Sequence, residues 1–347
     1  MGLGLAGTKA LLELSKNGIQ VLGVESKQQI GVPVQCAEYI PALIGSDLHQ
    51  TPIDCWPIKS MLTYINAVAT VSAHRGYMIN RSQLEQYWAE QARHQGAHVH
   101  CSSRVVNIDM TRRTAVVKTR QGNSHSIGFR YIIAADGAKS SVAKCLGLEA
   151  LACVVAHQYT FKMSRPGHHT EVFLSEEFPG GYGWLFPKKE FVHVGVGVDL
   201  VYQKKLKPAL AHFVGQMLQA GKISPQLHTK TGGYIPCGGM RSALVHGPVI
   251  LTGDAAGLTH PITGAGIAQA MISGEGAAQA LVAVLRRGNC HALTEYQNDM
   301  REFYHASLSY GALKRRQAQP GWKDTTPKPD HWLKKQWIAY PEYYQSP

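Results

Sequence analysis

The 347-residue chain is 44% hydrophobic and 17% charged, enough apolar material for a sizeable core, which excludes intrinsic disorder. Lys and Arg total 35 against 23 Asp and Glu, a net +12, yet the densest basic spots are only Lys314-Arg315-Arg316 and Lys334-Lys335, so no nucleic-acid partner is expected. Seven scattered cysteines without a C-x-x-C pair exclude a zinc or disulfide scaffold, and the 17 histidines have no metal-ligand spacing, so no metal is expected.

In chain order, the glycine-rich start Gly2–Thr8 leads into a helical pattern through Ala10, Leu11, Leu12 and Leu14 that stops at Asn17-Gly18. Ile19–Glu25 is a short β-rich run ending in an acid, the second strand of a β-α-β unit whose first strand is absent ahead of Gly2. Strands are expected over Met61–Ile65 and Val68–Ala73, then a helix from Arg81 to about Gln95. Val99–Cys101, Val105–Ile108, Ala115–Thr119 and Phe129–Ala134 alternate like one small sheet. Further strands are expected at Gln158–Met163, Glu171–Leu174, Tyr182–Pro187 and Val192–Val198, and a helix at Lys204–Ala220. A turn-rich connection, Thr231–Gly247, precedes the apolar strand Val249–Thr252. Helices follow at Gly264–Leu285 and from His291 to about Tyr310, and the chain after Pro320 is rich in Pro, Trp and Tyr. No apolar run approaches the roughly 20 residues that span a bilayer, and no basic-then-hydrophobic leader opens the chain. A cytoplasmic location is expected.

Gly2-x-Gly4-x-Ala6-Gly7 has the spacing of a dinucleotide-binding turn: tight turn, backbone approach to a pyrophosphate, close helix packing. The helix N-terminus would offer N–H groups and positive dipole to the phosphates. Glu25 sits at the end of the strand-like run, where a carboxylate takes ribose hydroxyls; an ordinary β-α turn with a surface glutamate is the alternative. A second constellation is sharper. Val249–Leu251 delivers Asp254 into a small-residue turn, and Thr259-His260-Pro261-Ile262-Thr263-Gly264-Ala265-Gly266-Ile267 opens a helix. Such an aspartate can accept a ribityl hydroxyl, while the helix end offers N–H groups to an electron-rich ring.

Together these segments resemble the FAD-binding signatures of the p-hydroxybenzoate hydroxylase-like flavoproteins. Ala134-Ala135-Asp136-Gly137 is similar to their internal Asp-Gly motif, Asn80-Arg81-Ser82 to the segment whose arginine lies beside FAD, and Val105-Val106 to the strand that contacts adenine through its backbone. Within that superfamily the chain resembles the geranylgeranyl reductase family. Tyr182-Gly183-Trp184-Leu185-Phe186-Pro187 followed by Val194-Gly195-Val196-Gly197 matches its Y-x-W-x-F-P … V-G-x-G pattern, and Gln35-Cys36-Ala37 its flavin-side cysteine loop.

The resemblance implies an α/β fold: a Rossmann-like FAD-binding domain, three-layered around a mostly parallel sheet, with an inserted antiparallel β-sheet substrate domain. The FAD domain would comprise 1–60, 76–155 and 235–290, the substrate domain 61–75 and 156–234, and 291–347 a helical, aromatic tail. It implies FAD held by Gly2, Gly4, Ala6, Gly7, Glu25, Cys36, Ala37, Arg81, Val105, Asp136, Asp254, Gly264, Gly266 and Ile267. The implied activity is reduction of C=C bonds in an isoprenoid or similar apolar substrate by hydride from reduced flavin, with NAD(P)H or a reduced ferredoxin-type donor as electron source. Tyr182, Trp184 and Phe186 alternate onto one strand face and would wall the substrate pocket, although plain core packing needs the same residues.

The chain departs from the family pattern in three places. The first strand is absent before Gly2, Glu38-Tyr39 stands where relatives favour glycine, and the tail after Pro320 has no counterpart in the pattern. Cys36 is a candidate catalytic thiol, with an inert small hydrophobe as the alternative. The tail could contact a membrane peripherally, or pack on the protein itself or a second copy; the oligomeric state is open. Two other functions share these motifs: an NAD(P)H-dependent flavin monooxygenase, and a non-enzymatic flavoprotein relic that binds lipid or a partner.

Overall fold

Leucine and small residues on one face give helix α1 (Leu5–Lys16), which buries Leu5, Ala6, Ala10, Leu11 and Leu14 and runs into strand β1 (Leu22–Val24). A computed structural model describes residues 1–45, 48, 51–324 and 326–345. After β1 come β2 (Tyr39–Pro41), the short α2 (Ala42–Gly45), β3 (Cys55–Ile58), β4 (Ser60–Ile65), β5 (Val68–Ser72) and β6 (Gly76–Ile79). Helix α3 (Arg81–His94) begins at Asn80, whose side chain accepts the Gln83 N–H as a cap. Strands β7 (His98–His100), β8 (Ser103–Asp109), β9 (Thr114–Thr119), β10 (Ser124–Gly128) and β11 (Ile132–Ala134) lead to the short α4 (Ser141–Cys145). The next block holds β12 (Cys153–Met163), β13 (His169–Leu174), β14 (Gly183–Lys188), β15 (Phe191–Asp199), α5 (Gln203–Gln219) and β16 (Ile223–Pro236). The chain closes with β17 (Val245–His246), β18 (Val249–Leu251), α6 (Ile267–Arg287), α7 (Ala292–Lys323) and α8 (Asp330–Lys334).

The parallel layer is present in two pieces. β1 pairs with β7, and β11 pairs with β18, both parallel; β17 closes the second piece in antiparallel sense. Met1 and Gly2 lie between the pieces. The Met1 amine donates to the Ile133 carbonyl (2.7 Å), Ala135 N–H to the Met1 carbonyl (2.8 Å), and Gly2 N–H to the Val24 carbonyl (2.8 Å). Beyond them the edges of β1 and β11 face one another across an open cleft of about 510 Å³, lined by Leu11, Leu14, Val21, Ile127, Ile132 and Leu281 and also by Gln20 and Arg130.

The strands expected to form one small sheet between 99 and 134 divide among three: β7 joins β1, β8–β10 form an antiparallel meander, and β11 joins β18. The substrate-side sheet has seven strands in the order β16-β12-β15-β14-β13-β4-β5. It is mixed rather than wholly antiparallel, because β4 runs parallel to β13. β4 arrives from a segment about a hundred residues earlier, so no hairpin dictates its direction. The expected turn at Thr231 is instead the second half of β16, paired with β12 through Pro236. Its glycines mark close approach within a strand, since a Cβ on Gly232 would stand 2.5 Å from the His157 ring.

One face of this sheet is covered by α5, with Val192, Val194, Val196 and Val198 against Leu210 and Phe213. The other face carries Trp184 and Phe186 and is covered by Leu333, Trp337 and Tyr340 of the tail. The penultimate long helix continues beyond Tyr310 to Lys323, because Leu308, Gly311, Ala312 and Ala318 keep one face buried and Pro320 falls only in its last turn. Contrary to the expectation of no spanning-length run, α6 is long and apolar enough to cross a membrane. It lies packed against α1 with no room for a side chain at Gly274, where a Cβ would stand 2.2 Å from the Ala6 carbonyl oxygen.

Candidate functional site

The glycine turn and α1 make one end of the site. Gly2 has φ +78°, and a Cβ there would lie 2.4 Å from the Ala135 carbonyl oxygen, so only glycine fits. Gly4 precedes α1 with no side-chain cap and no acidic residue in the first turn, so the helix end is left to an anion. Across Gly4 stands the Arg81 guanidinium, 3.5 Å from where a Cβ would be. Its Nε donates to Glu85 at 2.7 Å; burial acts to lower the Arg81 pKa, but Glu85 and Cys36 outweigh it and hold it above its ordinary value. The guanidinium is a permanent cation facing the phosphate end. Gly7 and Ala6 lie on the inner side of α1, Gly7 against Gly2 and Ala6 against Gly274.

Glu25 ends β1 and is buried. Its carboxylate accepts Leu3 N–H (2.6 Å), Lys27 N–H (2.8 Å) and the Ser26 hydroxyl (3.2 Å). A carboxylate has about four acceptor positions, so one is left for a ribose hydroxyl. Asp136 stands between β11 and α4. Its two oxygens take the Ser140 hydroxyl (2.6 Å), the Ser141 hydroxyl (3.0 Å) and Val142 N–H (3.1 Å), so the carboxylate caps α4. Val105 gives its carbonyl to the Ser141 hydroxyl (3.0 Å), and the β8–β9 ladder skips a residue after it. That bulge takes Val106 out of the ladder, and its carbonyl accepts the Cys145 thiol (3.7 Å).

At the other end, Asp254 follows β18, and one carboxylate oxygen accepts the Thr259 hydroxyl at 2.6 Å. Burial raises its pKa against the opposing pull of Thr259 and Arg81. The second oxygen has no donor among the described residues. Gly266 caps α6 without a side-chain hydrogen bond, and Ile267 begins the helix as a buried residue. His260 shapes the preceding turn, accepting Ile262 and Thr263 N–H at 3.3 Å, which leaves Gly264 beside the Tyr182 hydroxyl. Tyr182 donates that hydroxyl to the Thr263 carbonyl, tying the aromatic strand to the ring-side turn.

The Cys36 loop closes the site from the substrate side. Gln158 Nε2 donates to the Cys36 carbonyl (3.2 Å) and its Oε1 accepts the Trp184 indole N–H (3.0 Å). Ala37 packs with Trp184 and Phe186. Burial pushes the Cys36 thiol up, with Arg81 opposing, so it stands as a neutral thiol and not as a ready nucleophile. Trp184 takes its place because Gly195, in the neighbouring strand, has no side chain; a Cβ there would lie 2.1 Å from the indole ring. Sequence reasoning missed Thr259, Gln158, Glu85, Lys188 and His193, and noted Glu38 only as a departure from glycine. Thr259 and Glu85 lie five and four residues from their partners Asp254 and Arg81. No local pattern marks the other contacts: Trp184 meets Gln158 across 26 residues of chain, and His193 Nε2 lies 3.0 Å from Glu38 across 155. Among the described residues no group of three or more His, Cys, Asp or Glu could hold a metal ion.

Two uncapped helix ends, a cation over the Gly4 turn and two carboxylates with open acceptor positions fit FAD, whose pyrophosphate would be held at Gly4–Ala6 and whose ribityl chain would be held at Asp254. The fold and this arrangement define an FAD-dependent oxidoreductase. Residues 48–164 match the FAD binding domain model, and residues 153–234 match the geranylgeranyl reductase catalytic domain model. The chain is 30% identical over 322 residues to digeranylgeranylglycerophospholipid reductase 1 of Methanopyrus kandleri, covering 87% of this chain and 85% of that one. It is 29% identical over 325 residues to the digeranylgeranylglycerophospholipid reductase of Methanococcus aeolicus, covering 89% and 82%. In fold it is similar to a geranylgeranyl bacteriochlorophyll reductase-like protein from Thermoplasma acidophilum (TM-score 0.81, 24% identity, 91% of this chain and 85% of that one). A probable FAD-dependent monooxygenase from Pseudomonas aeruginosa shares the fold less closely (TM-score 0.69, 17% identity, 93% and 98%). The chain belongs to the geranylgeranyl reductase family and is an FAD-dependent reductase.

Proposed function

We propose that this protein reduces C=C bonds in the isoprenoid chains of a geranylgeranyl-type lipid. The observation that carries the reading is the coupling of an aromatic wall to the flavin-side turn: Tyr182 reaches the Thr263 carbonyl, and Trp184 reaches the Cys36 loop through Gln158. An apolar wall at the ring edge suits a hydrocarbon chain, and relatives named for a digeranylgeranylglycerophospholipid substrate support that class. Bound flavin supplies the hydride. The chain's own residues hold the phosphates at the first turn of α1, accept the ribityl hydroxyl at Asp254, and exclude water with Trp184, Phe186 and Trp337, each under 8% exposed.

The electron source is proposed to be NAD(P)H or a reduced ferredoxin-type donor, and the protein is proposed to work in the cytoplasm at the membrane surface where its lipid substrate resides. The test is anaerobic. The purified yellow protein is reduced with light, then mixed with a digeranylgeranyl lipid in detergent or with an aromatic acid. Reoxidation of the flavin by the lipid, with a mass gain of two hydrogens per bond, supports the proposal. Failure of the lipid to reoxidise the flavin, with hydroxylation of the aromatic acid once oxygen is admitted, would replace it with the monooxygenase reading. Separate mixing of the oxidised protein with NADH, NADPH and reduced ferredoxin identifies the donor, and co-sedimentation with vesicles tests the membrane location.

A further inference from the structure

Glu38 is a buried carboxylate, 2% exposed, in the loop that carries Cys36, and its φ of +66° is left-handed. A glycine holds that conformation without strain, whereas a glutamate keeps it only where its surroundings over-determine it. They do so here. Glu38 N–H donates to the Cys36 sulfur (3.2 Å) and its carbonyl accepts Ile79 N–H (2.9 Å). Oε1 accepts Arg81 N–H (2.8 Å) in the first turn of α3. Oε2 accepts the Lys188 ammonium (2.5 Å) and faces His193 Nε2 (3.0 Å). The opposite ring nitrogen of His193 pairs with the Thr160 hydroxyl (3.0 Å), so the cluster runs across β14, β15 and β12. Lys188 is further covered by the Trp56 ring at 5.7 Å. His193 shares its sheet face with Trp184 and Phe186, since Val192, Val194 and Val196 face α5.

We propose that Glu38 is a positioning residue that joins the cofactor site to the substrate site. One carboxylate fixes the Cys36 loop and the Arg81 end of α3 against the sheet face that bears Trp184 and Phe186. Glu38 touches neither ligand. It sets the distance between the wall that takes the hydrocarbon and the two residues, Cys36 and Arg81, that stand at the flavin. Burial favours its neutral form, but the His193 hydrogen bond and Lys188 outweigh it and hold the carboxyl below its ordinary pKa, so the clamp is ionic at neutral pH.

A purely structural ion cluster would change melting temperature alone, so the test needs a control of matched destabilisation. Leu210→Ala, on the buried side of α5 that packs on the opposite sheet face, provides it. Glu38→Ala, Glu38→Gln and Leu210→Ala are compared for FAD affinity by fluorescence titration and for KM and kcat with the isoprenoid substrate. The FAD arm stands independently of the proposed substrate, and the KM arm rests on it. Glu38→Ala is expected to weaken FAD tenfold or more and raise KM threefold or more. Glu38→Gln, which keeps an acceptor for Arg81 N–H but loses the charge, should recover about half of that loss on a logarithmic scale and stay threefold or more weaker than wild type. Leu210→Ala should leave FAD affinity and KM within twofold of wild type. The proposal is overturned if folded Glu38→Ala binds FAD within twofold of wild type, or if Leu210→Ala weakens FAD as much. If Glu38→Ala does not fold, Glu38→Gln decides: a threefold or greater loss in FAD affinity supports the clamp, and an affinity within twofold of wild type overturns it.

Discussion

Gly195→Ala tests how the aromatic wall is seated. The added Cβ would stand 2.1 Å from Trp184 Cζ2 and 2.3 Å from Cε2, inside a sheet paired on both sides, so the indole must swing rather than the backbone yield. Overpacking of this kind costs about 1–3 kcal/mol. The swing also breaks the 3.0 Å bond from the Trp184 indole to Gln158, stranding buried groups at a further cost of about 1–3 kcal/mol. The sum, about 2–6 kcal/mol, corresponds in a chain of 347 residues to a fall in melting temperature of about 3–8 °C. Because Gln158 also holds the Cys36 carbonyl, FAD affinity should fall with the packing. Calorimetry measures the first effect, near-ultraviolet circular dichroism the seating of the indole, and fluorescence titration the third. A variant that melts within about 2 °C of wild type with an unchanged aromatic spectrum would refute the reasoning.

Asp254→Ala removes an acceptor with one free oxygen, and a hydrogen bond contributes about 0.5–1.5 kcal/mol, so FAD should bind about 2- to 10-fold more weakly; an unchanged titration would exclude Asp254 from the site. Glu38 has a folded-state pKa below its unfolded value of about 4.3, so its stabilisation is fully present above that pH and is lost as pH falls through the lower folded value. The urea-midpoint gap between wild type and Glu38→Gln should therefore be constant from pH 8 to 6 and close toward pH 3; a gap that persists there contradicts the assignment. Truncation after Lys323 strips Leu333, Trp337 and Tyr340 from the sheet, so binding of an environment-sensitive apolar dye should rise severalfold, and unchanged dye fluorescence would show that the wall is covered by something else.

The cofactor half of the site was legible because its chemistry is local. Gly2, Gly4 and Gly7 lie within one turn, and Asp254, Gly264 and Gly266 within another, so short-range spacing carries the geometry. Asp136 shows what spacing leaves out. Its motif was visible, but whether the carboxylate turns outward or caps α4 depends on Ser140 and Ser141 competing for it, and spacing does not encode that competition. Gly232 was read as a turn because glycine signals both turns and crowding, and only the position of the His157 ring separates the two. The direction of β4 beside β13 and the ion cluster at Glu38 were invisible for one reason: both are set by segments that meet far along the chain.

The bare-backbone contact between α1 and α6 sets how the two ends of the site are spaced. Where Gly274 meets the Ala6 carbonyl, no side chain lies between the two helices that could compress or rearrange. One helix opens at Gly4 and the other at Gly266, so the two helix N-termini are held as one unit. A flavin mononucleotide, with its ring, ribityl chain and phosphate, would already reach both, and only the second nucleotide of FAD would extend toward Glu25. Preference for FAD would then rest on the Glu25 end of the site and not on the helix spacing.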